Sequence, residues 1–217
     1  AFALRNNGKG VYRTKDYFKQ VDISLIWRYR YPILSVIFTT GLSHITYLVP
    51  CVIMNSLVPF VRNIDIDDMM KVNNLLHIID FLLIMFLGPI IAKYNYFRLK
   101  VSISILIAIT IPIMFFYIKD YELIYTSLVR IWIIILGVIF LIPQNILFKD
   151  MFKDIEYNYL IIGISNAIGA AIIGKLTPMI MFYLYYSYEN IFIPSIYVSL
   201  IALLTGYFVW RSKNTLA

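Results

Sequence analysis

Long apolar runs separated by short polar breaks organise this chain. Six runs stand out: 32–58, 71–92, 101–118, 125–148, 159–186 and 191–210. A helix needs about 20 apolar residues to cross the hydrocarbon core of a bilayer. An open strand would leave backbone groups unsatisfied in lipid, so each run predicts a transmembrane helix. The breaks are short and carry no low-complexity linker. Residues 32–210 therefore read as one six-helix transmembrane domain. Residues 1–31 read as a basic, water-facing segment that runs along the membrane surface to Trp27 and Tyr29, and 211–217 as a cytoplasmic tail. The expected fold class is an all-α membrane protein.

Composition points the same way. Of 217 residues, 61% are hydrophobic and 14% charged, whereas charged residues make up about a quarter of a soluble chain. The net charge of +7 is better explained by loops that fix membrane topology than by a nucleic-acid partner. With both termini cytoplasmic, Arg5, Lys9, Arg13, Lys15, Lys19, Arg28, Arg30, Lys93, Arg98, Lys100, Lys149, Lys153, Arg211 and Lys213 all fall inside. Only Arg62, Lys71 and Lys119 fall outside. That asymmetry follows the positive-inside rule and orients the chain with its termini in. The lone Cys51 excludes an internal disulfide and reads as a packing residue. The chain opens AFALRNN, without an initiator Met, and so reads as a fragment, a processed chain or a trimmed one.

Ionisable side chains in the middle of spans are costly, about 2.5–3.5 kcal/mol each on insertion scales, so their positions single out candidates. His44 lies at the centre of the first run, among Thr39, Thr40, Ser43 and Thr46. Asp80 lies near the centre of the second, with His77 three residues earlier on the same helical face. Lys175 lies near the centre of the fifth, while Arg130 is close to the outer end of the fourth and within reach of water. The third and sixth runs have no interior ionisable residue and are expected to face lipid. The other four then face one another or a solute pathway. Asp80 paired with Lys175 as a structural ion bond, His44 as a packing residue and Arg130 as an interface anchor are the plainer alternatives.

Pro178 has no N–H to give the carbonyl of Gly174, so the fifth helix is expected to kink there, beside Lys175 and Thr177. An interrupted helix at mid-depth suits a binding site. Upstream, Gly163, Gly169 and Gly174 permit close helix approach. No P-loop, nucleophile elbow or zinc motif is present, which argues against an ATP-driven pump and supplies no enzyme, cofactor or metal assignment.

The stretch Gly88 to Arg98 between the second and third runs resembles the cytoplasmic gating loop of the major facilitator superfamily, roughly G-x-x-x-D-R/K-x-G-R-R/K. Gly88 and Lys93 match, Ala92 stands where the acid is expected, Asn95 where the second glycine is expected, and Arg98 lies beyond. Asn95 is expected to take the positive φ of that glycine. Asn166-Ala167-Ile168-Gly169, Thr177-Pro178, Pro194-Ser195-Ile196-Tyr197 and Leu204-Thr205-Gly206 follow the order seen in the metabolite:proton symporter branch, which includes proline/betaine transporters. Phe152-Lys153…Glu156-Tyr157 departs from the Phe-Pro…Arg-Tyr of that branch.

The resemblance covers 28–210 and implies the C-terminal six-helix half of such a transporter, with 1–31 as the remnant of its central loop. It implies a bacterial inner membrane, proton-coupled uptake of a small osmolyte such as proline or betaine, and a missing N-terminal six-helix half in the same gene or a separate chain. Its pathway candidates are His44, His77, Asp80, Arg130, Asn166, Lys175, Thr177 and Pro178; its gating-loop residues are Gly88, Lys93, Asn95 and Arg98. Asp80, with His77, is the expected proton carrier, and Lys175 or the Pro178 kink the expected partner of a carboxylate. An organic-acid:proton symporter, or an inactive or split-gene remnant that does not transport, stays open beside it.

Overall fold

The computed structural model describes residues 23–62, 65–118, 123–153 and 158–216. The expected basic side chains from Arg5 to Lys19, Lys119 and the Glu156-Tyr157 motif position lie outside the described residues. No strand occurs among the described residues, and six helices are long and apolar enough to cross a membrane. They are span 1 (Arg30–Pro59), span 2 (Ile66–Ile91), span 3 (Tyr96–Ile118), span 4 (Leu123–Met151), span 5 (Asn158–Tyr188) and span 6 (Phe192–Lys213).

The chain divides after Arg30 into two units. In the first, the helix Ile23–Arg28 carries an exposed Trp27, with the Arg30 guanidinium 5.8 Å from its ring centroid. The second unit holds the bundle.

Short polar signals set the ends of the spans. The Asp65 side chain accepts the Asp67 N–H at 3.0 Å, and Asp67 and Asp68 in the first turn complement the helix dipole of span 2. Asn95 caps span 3 by accepting the Arg98 N–H at 3.1 Å. The expected role of Asn95 is corrected here: Glu189 is the one non-glycine with positive φ among the described residues. The Asn95 carboxamide satisfies a helix N-terminus, so no left-handed turn is needed. Span 3 consequently starts at Tyr96, placing Arg98 and Lys100 on the helix and not in the loop. Glu189, at φ 47°, closes span 5, and the Asn190 side chain then accepts the Phe192 N–H to open span 6.

Contacts between spans give their directions. Ile37 meets Gly169, Gly41 meets Ile173 and His44 meets Gly174, so spans 1 and 5 run parallel. Ser43 bonds Gln144, Thr46 touches Gly137 and Pro50 bonds Arg130, so span 4 runs antiparallel to span 1. Spans 3 and 6 are antiparallel partners: Ser199 Oγ donates to the Ala108 carbonyl at 2.8 Å, and Gly206 lies against Ser104. Thr205 Oγ1 reaches the Phe38 carbonyl, joining span 6 to span 1.

Spans 3 and 6 are therefore not simply lipid-facing, as the lack of interior charge suggested. In their most apolar windows 39% and 44% of residues are buried, against 11% in span 2. Lack of charge lets a helix tolerate lipid but says nothing of its packing partners. Small residues do: Ser104, Ala108, Ser195, Ala202 and Gly206 let the two backbones approach closely. Span 2 buries a sparse stripe, Met69, Leu76 and Ile91, and exposes most of the rest.

Two spans contain a wide π-type turn. In span 1 the ladder slips over Val49–Ile53, where Pro50 has no N–H to donate. In span 5 it slips over Gly169–Gly174, and Lys175 N–H reaches back to Ala170. The interruption there is longer than a proline kink at Pro178 alone would produce, because the glycines carry it upstream.

At Gly169 an added Cβ would collide with the Ile37 carbonyl, a backbone atom that cannot swing aside, whereas Gly163 has no neighbour within 4 Å. Gly169→Ala is expected to destabilise the bundle by about 1–3 kcal/mol, and Gly163→Ala to be near neutral. Unfolding of both variants in detergent micelles, monitored by circular dichroism, checks this; equal stabilities contradict the close approach.

Candidate functional site

The candidate side chains fall into three groups, the first and third joined through Asn73. The first is a staple beside the irregular turn at Pro50. Arg130 is fully buried, and its Nε donates to the Pro50 carbonyl at 2.7 Å. Nη1 donates to the Met69 carbonyl at 3.3 Å, and Nη2 to Asn73 Oδ1 at 2.6 Å. The π-type turn prepares this contact, because Met54 N–H bonds Val49 and not Pro50. Neither plainer nor functional expectation describes Arg130 well: it is too buried to be an interface anchor and too fully engaged to clamp a solute. It ties spans 1, 2 and 4 together.

The second group runs along the seam of spans 1 and 5. Thr40 Oγ1 donates to Asn166 Oδ1 at 2.6 Å, and the His44 ring nitrogen Nδ1 lies 2.9 Å from the Thr40 carbonyl. Gly174 lies against the His44 Cβ, which brings Lys175 to the level of His44. His44, Asn166 and Lys175 are all exposed on this face. Thr177 is not part of it. It is buried, bonding the Ile173 carbonyl at 2.6 Å and lying 3.3 Å from the Tyr197 hydroxyl, so it repairs the broken helix instead of facing a solute. Pro178 is half-buried at the start of the helix Thr177–Tyr188.

The third group lies between spans 1, 2 and 4. Asp80 is half-buried in a small recess of about 50 Å³ with Ser43, Thr46, Tyr47, Ile134, Gly137, Val138 and Leu141. That volume holds about one or two waters. Ser43 Oγ donates to Gln144 Oε1 at 2.6 Å. His77, one turn from Asp80, has its ring 5.9 Å from that of Tyr47 and its Nε2 3.4 Å from Asn73 Nδ2. Asp80 itself has no hydrogen-bond or ion-pair partner among the described residues, and neither has Lys175. The structural ion pair between them is not formed.

Sharing Leu141 with the Asp80 recess is a wider one of about 430 Å³, lined by Ile84, Gly88, Leu141, Ile142, Gln144 and Asn145, a volume in the range of small-molecule sites. Gly88, expected in a gating loop, is thus a wall residue with open space around it, near the end of span 2. Lys93 and Arg98 are exposed.

Lys100 corrects the charge map. Counted with the cytoplasmic loop, it is instead fully buried, its Nζ 3.8 Å from the centroid of Phe140 and without a hydrogen-bond partner. One turn of helix beyond the Asn95 cap turns this side chain inward.

Gln144, Ser43, Asn73 and Tyr47 were missed as site residues. An amide pair directly after Pro143, inside an apolar run, was a readable signal for Gln144 and Asn145. Asn73, at helical spacing from His77, was readable only once Arg130 was known to approach it.

No family model matches this chain, and no curated protein and no solved structure is significantly similar to it.

Removing the guanidinium leaves two carbonyls and an amide without a partner, each costing about 1–3 kcal/mol. Arg130→Met is therefore expected to cost about 3 kcal/mol or more. Lys100→Met removes a buried charge that lacks an acceptor and is expected to be neutral or stabilising. Thermal unfolding of the two variants in the same micelles decides; a loss at Lys100 as large as at Arg130 contradicts the contrast.

Proposed function

We propose that this chain is one half of a secondary active transporter, the C-terminal six-helix half of a metabolite:proton symporter of the major facilitator superfamily. In this reading it takes up a small zwitterionic osmolyte such as proline or betaine across a bacterial inner membrane, with both termini cytoplasmic. One observation carries the proposal. Asp80 and Lys175 lie unpaired at mid-depth on spans 2 and 5, and His44 and Tyr47 are exposed on span 1, which packs against both.

Unpaired charges at the bilayer centre are expensive, and their retention without a structural partner fits a transport role. An exposed polar band also fits a face covered by a second six-helix half, since lipid offers it no hydrogen bonds. Asp80 serves as proton carrier, next to His77. Lys175, at the break in span 5, meets the solute carboxylate, with Asn166 and His44 beside it. The recess from Gly88 to Gln144 supplies the route on the cytoplasmic side. Among the described residues Lys175 is the one exposed ammonium in this band and favours an anionic group, which keeps organic acids as the second substrate class.

The test uses the protein with both halves, reconstituted in vesicles with an imposed proton gradient. Asp80→Asn is expected to lower gradient-driven uptake of radiolabelled betaine or proline by roughly an order of magnitude or more while sparing solute exchange. Lys175→Ala is expected to raise KM for carboxylate-bearing solutes. Wild-type uptake by the double variant, or no uptake of any zwitterion or organic acid by the unmodified protein, defeats the reading.

A further inference from the structure

Spans 3 and 6 meet at one membrane surface, where the first begins and the second ends. There the two helices enclose a recess of about 250 Å³ lined by Phe97, Arg98, Val101, Ser102, Trp210 and Lys213. Arg98 and Lys213 are exposed, and neither side chain has a hydrogen-bond or ion-pair partner among the described residues. Two cations face one recess with no carboxylate in its lining. Its walls are aromatic and aliphatic, and Trp210 is half-exposed, as tryptophan is at a headgroup boundary. Deeper along the two helices Ile105, Ile109 and Leu203 are exposed, an apolar track in line with the recess. The helical repeat sets this alignment: 98, 102, 105 and 109 share one face of span 3, and 213, 210 and 203 one face of span 6.

We propose that this recess binds one anionic phospholipid, its phosphate held between Arg98 and Lys213 and an acyl chain laid over Ile105, Ile109 and Leu203. A cationic notch joined to a lipid-facing apolar track matches an amphiphile, and a soluble anion would use only the notch. Basic pockets between membrane helices are the usual form of such sites. The close packing of Gly206 on Ser104, near the notch along both helices, holds its two walls together. The site depends on membrane embedding and on this helix pair, and not on the transport reading.

The test uses the full chain in phosphatidylcholine vesicles doped with brominated phosphatidylglycerol or brominated phosphatidylcholine. Trp27→Phe and Trp132→Phe leave Trp210 as the fluorophore. Quenching of Trp210 is expected to favour the brominated phosphatidylglycerol by roughly tenfold or more. Arg98→Gln with Lys213→Gln is expected to abolish the preference, and Lys149→Gln with Lys153→Gln, an equal loss of charge elsewhere, to leave it intact. Native mass spectrometry of the unsubstituted chain, released from mixed micelles, is expected to retain one phosphatidylglycerol, lost in the Arg98→Gln, Lys213→Gln variant. The proposal is overturned if that variant keeps the preference or if both pairs lose it equally. It is also overturned if inorganic phosphate displaces the lipid, which would make the notch a site for a soluble anion.

Discussion

The guanidinium of Arg130 is the contact on which the arrangement of spans 1, 2 and 4 depends. In lipid there is no water to satisfy a slipped helical ladder, so every irregular turn needs a protein partner. Pro50 creates such a turn, and Arg130 supplies donors to its carbonyl, to the Met69 carbonyl and to Asn73. Irregularity in one helix is thereby converted into attachment between three. The Asp80 recess lies farther along the same three spans, so its shape is inherited from that attachment.

Glycine does for spans 1 and 5 what arginine does for spans 1, 2 and 4. Gly41, Gly169 and Gly174 bring the helices close enough for Thr40 to reach Asn166 and for His44 to lie against Gly174. Gly169 and Gly174 also bound the second π-type turn, which starts the break before Pro178. Close approach and helix interruption thus share one cause. Spans 3 and 6 need neither device, since serine, alanine and one glycine suffice for a regular antiparallel pair.

The two buried cations show how similar side chains diverge. Arg130 has a fork of donors and meets oxygen at each end of it. Lys100 meets a ring face and no acceptor. Cation–π attraction is worth about 2 kcal/mol when desolvated, less than the several kcal/mol that burial of a charge costs. One residue fastens the bundle and the other burdens it.

Run length and residue type were enough to read six spans and the mid-depth positions of His44, Asp80 and Lys175, because hydropathy is additive along a helix and lipid penalises each charge locally. The Asp65 cap and the break near Pro178 were also within reach, being governed by neighbours a few residues away. Which faces meet was not legible. That Arg130 turns inward to Pro50, that Lys100 is buried over Phe140, and that Asp80 and Lys175 stay apart are contacts between residues dozens of positions distant. Those pairings follow from helix rotation and register, which small side chains and glycine notches decide in three dimensions. A one-dimensional pattern of charge and hydropathy carries no record of them.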